Sequence, residues 1–235
     1  MQETGQIITG ILIGAALIIV AIRPWITKKN RAQVAEEQYT DEKQYIDDPG
    51  EVDYPFTSAG PTAARNAQNF IVFDVETTGL SPPRDDKIIE LTALKVRDGN
   101  TTRFSTLVNP GRRIPKKSSS VHGITDSDVN DAPAFNQIVR ELDAFLDPDL
   151  PIVGHNVTFD LRFLWWAYHD TGRELTSRAY IDTYKLSRRV FKDRNTWSLG
   201  SLIHDYGLIE GEQTHRTDDD VNATLALLQL CREKM

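Results

Sequence analysis

Five side chains are of types that could hold a metal ion or move a proton. Asp74 and Glu76 lie in FIVFDVETTGL, an apolar, β-branched run interrupted by acids. Alternate residues of a strand share a face, so the two carboxylates point the same way, roughly 6–7 Å apart along the strand. Side by side at the end of a buried strand they repel unless a cation lies between them; a pair of acids at a solvent-exposed strand end would carry the same pattern. Asp160, in GHNVTFDLRFLWWAYH, falls with Phe163, Leu164 and Ala167 on one helical face. An aspartate on an apolar face is costly to bury without a partner. It either pairs with a base or binds a metal, and the acids of the first strand favour the metal. His215 and Asp220 belong to THRTDDDVNATLALLQL, a helix with Val221, Leu225 and Leu228 as its core stripe. Thr217 is a candidate N-cap with Asp220 as its reciprocal capping-box acid, and Asp218 and Asp219 complement the helix dipole. Asp220 has the capping reading as well, with His215 just upstream of it.

The pattern around these residues predicts the elements that position them. Phe70–Val75, Lys87–Arg97 and Thr101–Val108 read as three strands joined by short turns such as Asp98-Gly99-Asn100. A helix near Ala134–Phe145, a strand at Pro151–Gly154 and further helices follow. The helix after Gly154 is expected to take Thr158 or Asn156 as its cap, and Asp182 is expected to cap the helix that begins in IDTYKLSRRVF. Trp165, Trp166 and Trp197 read as packing residues. Strands first and alternating helices and strands afterwards give an α/β fold, a mixed sheet covered by helices.

With 235 residues, 40% of them hydrophobic, the chain has room for one domain with a full core plus appendages. A net charge of −7 argues against gripping a long duplex through many phosphates. It does not exclude a site whose acids are neutralised by divalent cations. Cys231 is the one cysteine, which excludes an internal disulfide and a cysteine-based zinc site. Gly5 to Ile22 is uncharged and apolar, long enough at about 1.5 Å per residue to span roughly 27 Å. Residues 1–26 therefore read as a transmembrane anchor; a cleaved signal peptide or a buried core helix are the other readings, although the first lacks its basic leading region. Arg23, Lys28, Lys29 and Arg31 follow the run and place everything after it on the cytoplasmic side. Residues 27–69 are polar and rich in Pro, Gly and Asp in their second half, and read as a flexible linker to a domain at 70–235.

Taken together, FDVETTGL, GHNVTFDLRFL and the His215-x-x-x-x-Asp220 spacing resemble the three motifs of the DEDD exonuclease superfamily, in the branch with a catalytic histidine. VHGIT (Val121 to Thr125) is similar to the segment found in proofreading exonuclease domains such as the epsilon subunit of bacterial DNA polymerase III. The resemblance runs from about Phe70 to Cys231 and implies a ribonuclease H-like fold. It also implies that Asp74, Glu76, Asp160 and Asp220 hold two Mg²⁺ or Mn²⁺ ions about 4 Å apart, one activating a water and one stabilising the leaving 3′-oxygen. His215 would be the general base, since an imidazole titrates near neutral pH, and its place before the helix suits a base that swings in with substrate. Thr77, Gly79 and Leu80 would border the terminal nucleotide, and His122, Asn156 and Phe159 would lie near its sugar or the preceding base; His155 and Asn156 have the alternative role of ordering their turn. Arg112, Arg113, Lys116, Lys117, Arg188, Arg189, Lys192 and Arg194 are a solvated surface that could guide a strand. The expectation is a membrane-tethered 3′–5′ exonuclease acting on single-stranded 3′ ends, DNA before RNA, with a non-catalytic nucleic-acid-binding or scaffold protein as the rival from another class.

Overall fold

Strand β2 (Phe70–Thr77) carries the first two acids, and the sheet grows outward from it in the computed structural model, which describes residues 52–209 and 215–235. All of these lie in one compact unit, Lys43–Met235. On one side β2 pairs antiparallel with β3 (Ile88–Arg97), and β3 with β4 (Asn100–Leu107). On the other side β5 (Ile152–Gly154), β6 (Arg178–Asp182) and β1 (Phe56–Ser58) continue in parallel register. The resulting six-stranded order is β1-β6-β5-β2-β3-β4. The β3–β4 turn needs left-handed backbone at two successive residues, and Asp98 (φ 51°) and Gly99 (φ 78°) supply it.

Strand alternation divides the core. Ile71, Phe73 and Val75 pack against α4 (Phe135–Phe145) and α5 (Thr158–Asp170), through Ile138, Leu142, Leu161, Phe163 and Leu164. Phe70 and Val72 point the other way, into a cluster with α8 (Thr217–Lys234), the last of eight helices among the described residues. Helices α6 (Thr183–Val190) and α7 (Leu199–Tyr206) join that second layer through Leu186, Leu202 and Ile203. Full burial of one such aliphatic side chain contributes about 1.5–3 kcal/mol. A smaller cluster of Ile89, Ile114, Ile124 and Val129 carries α2 (Lys116–His122) and α3 (Asp126–Val129).

Several local expectations are corrected by tertiary contacts. Part of the expected linker is folded: Phe56–Ser58 is an edge strand on β6, and α1 (Pro61–Asn66) follows it with Ala64 buried. Arg232 of α8 holds this segment by donating from Nε and Nη2 to the Ala64 and Ala67 carbonyls, both at 2.7 Å. Neither Thr158 nor Asn156 caps α5 with its side chain. Instead the chain enters that helix through left-handed Asn156 (φ 59°), whose N–H donates to Asp182 Oδ1 at 3.1 Å. Thr217 is likewise not the cap of α8; its hydroxyl pairs with that of Thr92 at 2.7 Å. The buried stripe of α8 runs through Asp220, Val221, Thr224, Leu227, Leu228 and Cys231, with Leu225 only half-buried. Among the described residues no helix is long and apolar enough to cross a membrane. The anchor expected at 1–26, and the linker as far as residue 51, lie outside the described residues.

Asp182 does cap α6, accepting from the Tyr184 and Lys185 amides at 3.0 and 3.5 Å, and burial pushes its carboxyl above the ordinary range. Replacing it with alanine removes these bonds and the one from Asn156. Urea unfolding of Asp182→Ala should show a loss of about 1–2 kcal/mol; an unchanged midpoint would show that the carboxylate does not hold this corner.

Candidate active site

The acids of β2 come together with the start of α8. Asp74 and Glu76 project from the sheet face that α8 covers, the same face as Phe70 and Val72. One carboxylate oxygen from each of Asp74, Glu76 and Asp220 lies within 4.8 Å of the other two. Glu76 and Asp220 are buried, at 5% and 9% exposure, and Asp74 is half-buried. At such separations each ionised pair repels by about 3–4 kcal/mol at an effective dielectric constant near 20. A divalent cation among them converts that repulsion into attraction. The donors are all oxygens, a set that suits Mg²⁺ or Mn²⁺ and disfavours zinc.

Asp160 reaches the same region from the opposite layer. On β2, strand β5 pairs with Ile71 and Val72 and no further, so β2 runs on past it with one edge uncovered. The Ile71 amide donates across that edge to Pro151, and alternation turns the Val75 amide to the same side. Val75 finds its acceptor in Asp160 Oδ1, at 3.3 Å, from the first turn of α5. Asp160 is buried at 2% exposure and lies outside the trio of mutually close acids. The sequence places it on the apolar face with Phe163 and Leu164, and both of those are buried as expected.

The third segment is held by residues that sequence reasoning missed. Arg216 forms a forked ion pair with Glu90 of β3, its Nε lying 3.0 and 2.9 Å from the two carboxylate oxygens and its Nη2 adding a further bond. The Thr217 amide donates to the same carboxylate at 3.1 Å. Glu90 beside it holds the Arg216 guanidinium above its ordinary value. Thr92 bonds Thr217 and Asp218, and Arg103 bonds Asp218 at 2.6 Å and Asn222 at 2.8 Å. Asp218 is thus a docking residue of the helix start as well as a favourable charge there. His215, half-buried, precedes this anchored stretch with left-handed backbone (φ 51°). The sequence carried a signal for Glu90, an acid inside the otherwise apolar strand IIELTAL, but nothing local says which base answers it.

The expected substrate residues fall into two groups. Thr77 ends β2, and its hydroxyl donates to the Gly79 carbonyl at 2.6 Å in the loop that continues to Leu80. Asp86 is the hub of that loop, accepting from the Thr78 hydroxyl at 3.2 Å and the Ser81 amide at 3.0 Å. A Cβ at Gly79 would stand 2.3 Å from the Asp86 carboxylate and push it from these bonds. Ser118 on α2 donates to the Thr78 carbonyl at 2.7 Å and ties the VHGIT segment to the loop. His122 is buried at 1% exposure, its Nδ1 accepting from the Ile124 amide at 3.0 Å. Phe159 is a core residue at 3% exposure, its ring 4.9 Å from that of Phe163. Asn156 orders its turn, as does His155, which contacts the Thr183 hydroxyl at 3.1 Å and the Trp197 carbonyl at 2.9 Å. Of the basic residues, Arg112 and Arg113 pair with acids, as does Arg194 with Asp205. Arg188 lies over the Tyr184 and Trp197 rings.

Residues 71–228 match the family described as Exonuclease. The 3′-5′ exonuclease DinG of Bacillus subtilis is 36% identical over 171 residues, covering 72% of this chain and 18% of that protein. A DNA polymerase III subunit epsilon-like protein of Rhodobacter capsulatus is 38% identical over 166 residues, 68% of this chain and 23% of its own length. The chain therefore spans 18% and 23% of the length of these two relatives. Among solved structures, Exonuclease X in complex with 5′ overhanging duplex DNA superposes with a TM-score of 0.54 at 26% identity, over 70% of this chain and 91% of that one. E. coli Exonuclease I in complex with a dT13 oligonucleotide shares the fold with a TM-score of 0.62 at 19% identity, over 72% of this chain and 42% of that one. All three acidic segments fall inside the matched residues, and the chain belongs to the exonuclease family of the DEDD superfamily.

Proposed function

We propose that this protein is a divalent-metal-dependent 3′–5′ exonuclease that removes nucleotides from single-stranded 3′ ends, with DNA as its substrate. The observation that carries the reading is the convergence of Asp74, Glu76 and Asp220 to within 4.8 Å in a member of this family. The DNA held by the solved relatives supports the choice of DNA.

Asp74, Glu76 and Asp220, with Asp160 from the facing helix, would hold the cations. When bound, Mg²⁺ or Mn²⁺ supplies charge neutralisation at the scissile phosphate and acidifies the attacking water. His215 accepts the proton that this water loses as it adds to phosphorus. The bond from phosphorus to the 3′-oxygen of the penultimate nucleotide breaks, a 5′-mononucleotide leaves, and the freed 3′-oxygen takes a proton from solvent to become a 3′-hydroxyl. The loop Thr77–Leu80 borders the departing nucleotide through its backbone, which reads no base and suits removal of any nucleotide in turn.

The full-length protein in detergent should shorten 5′-labelled single-stranded DNA from its 3′ end in Mg²⁺ or Mn²⁺ and not in EDTA. Asp74→Ala should abolish the shortening, and His215→Ala should lower kcat roughly 10²–10⁴-fold. Faster shortening of an RNA oligonucleotide would transfer the reading to an exoribonuclease. No shortening of either, with the nucleic acid still bound, would favour a non-catalytic binding protein.

A membrane tether is part of the proposal, supported by the apolar run Gly5 to Ile22 and the basic residues that follow it. With the nuclease domain on the cytoplasmic side, the full-length chain should sediment with membranes and resist carbonate extraction. Deleting residues 1–26 should release it; a full-length chain found intact in the soluble fraction would contradict the tether.

A further inference from the structure

Glu76 and Glu90 stand directly opposite each other across β2 and β3, and both are buried, at 5% and 6% exposure. Like charges in that arrangement destabilise a sheet unless each has its own counter-charge. Glu76 belongs to the acidic trio. Glu90 is answered by the Arg216 fork, and its carboxylate also takes the Thr217 amide. Arg216, at the N-cap position, makes no cap bond with its side chain, and Glu90 takes the Thr217 amide from a neighbouring strand. His215 is the residue before this clamp and Asp220 lies one helical turn after it.

We propose that the Glu90–Arg216 pair is a positioning device for the reaction. It fixes where His215 and Asp220 stand relative to Asp74 and Glu76, and it keeps the Glu90 carboxylate out of the metal's ligand set. A guanidinium is required because only its planar fork fixes direction as well as charge. Other contacts keep α8 docked if the pair is lost: Thr92 to Thr217, Arg103 to Asp218 and Asn222, and the buried stripe from Val221 to Cys231. Loss of the fork therefore misplaces the third segment without undoing the fold.

The inference rests on the exonuclease reading of the site, and the test separates the two. The full-length protein, with Arg216→Lys, Arg216→Gln and Glu90→Gln beside it, is assayed for kcat and KM on a single-stranded DNA oligonucleotide, for Mn²⁺ affinity by calorimetry and for its thermal unfolding midpoint. Arg216→Gln and Glu90→Gln should lose about 10–100-fold in kcat with KM little changed, and Arg216→Lys, which keeps the charge, should recover part of that loss. Wild-type kcat in Arg216→Gln, or a loss confined to KM, overturns the proposal. If Arg216→Gln does not fold, Arg216→Lys decides alone, and wild-type kcat there overturns it. If the wild type binds Mn²⁺ but shortens no strand, the exonuclease reading fails instead. The clamp is then judged on Mn²⁺ affinity, expected about 10-fold weaker in Arg216→Gln and overturned if unchanged.

Discussion

The mutual repulsion of carboxylates at the end of β2 is the constraint on which the rest of the site depends. Asp74, Glu76 and Asp220 are brought within reach of one another where water has been largely removed. The surrounding sheet and helices hold the acids in place. The fold's remaining stability, spread through two hydrophobic layers, opposes their tendency to spring apart. Oxygen donors held this close together suit a divalent cation.

Sheet topology decides which acids can take part. Because β5 stops at Gly154, the edge of β2 beyond Val72 is open, and the first turn of α5 places Asp160 there. On the other face, α8 begins over β3 and delivers Asp220 to the same end of β2. One strand thus collects carboxylates from helices on both sides of the sheet. The parallel strands β5 and β6 end at this edge too, where ligands of open α/β sheets commonly lie.

What could be read from the sequence is what local pattern encodes. Strands β3 and β4, their Asp98-Gly99 turn and helix α4 follow within a residue from alternation and helical periodicity. The pairing of Asp74 with Glu76 on one face follows from strand geometry alone. Asp182 as a cap needs only the residues beside it. Most of the misses involve partners distant in the chain. Phe56–Ser58 is a strand because β6 lies beside it, although its surroundings read as linker. Thr217 and Asn156 give up capping because Glu90, Thr92 and Asp182 offer other bonds across the fold. The role of Glu90 is invisible until β3 and α8 are placed together.

The most direct measurement of the central claim is the anomalous difference density of crystals of the protein equilibrated with Mn²⁺. The account predicts manganese among the Asp74, Glu76 and Asp220 carboxylates. Saturating Mn²⁺ that leaves no peak between those three acids, or that gathers elsewhere, would contradict it.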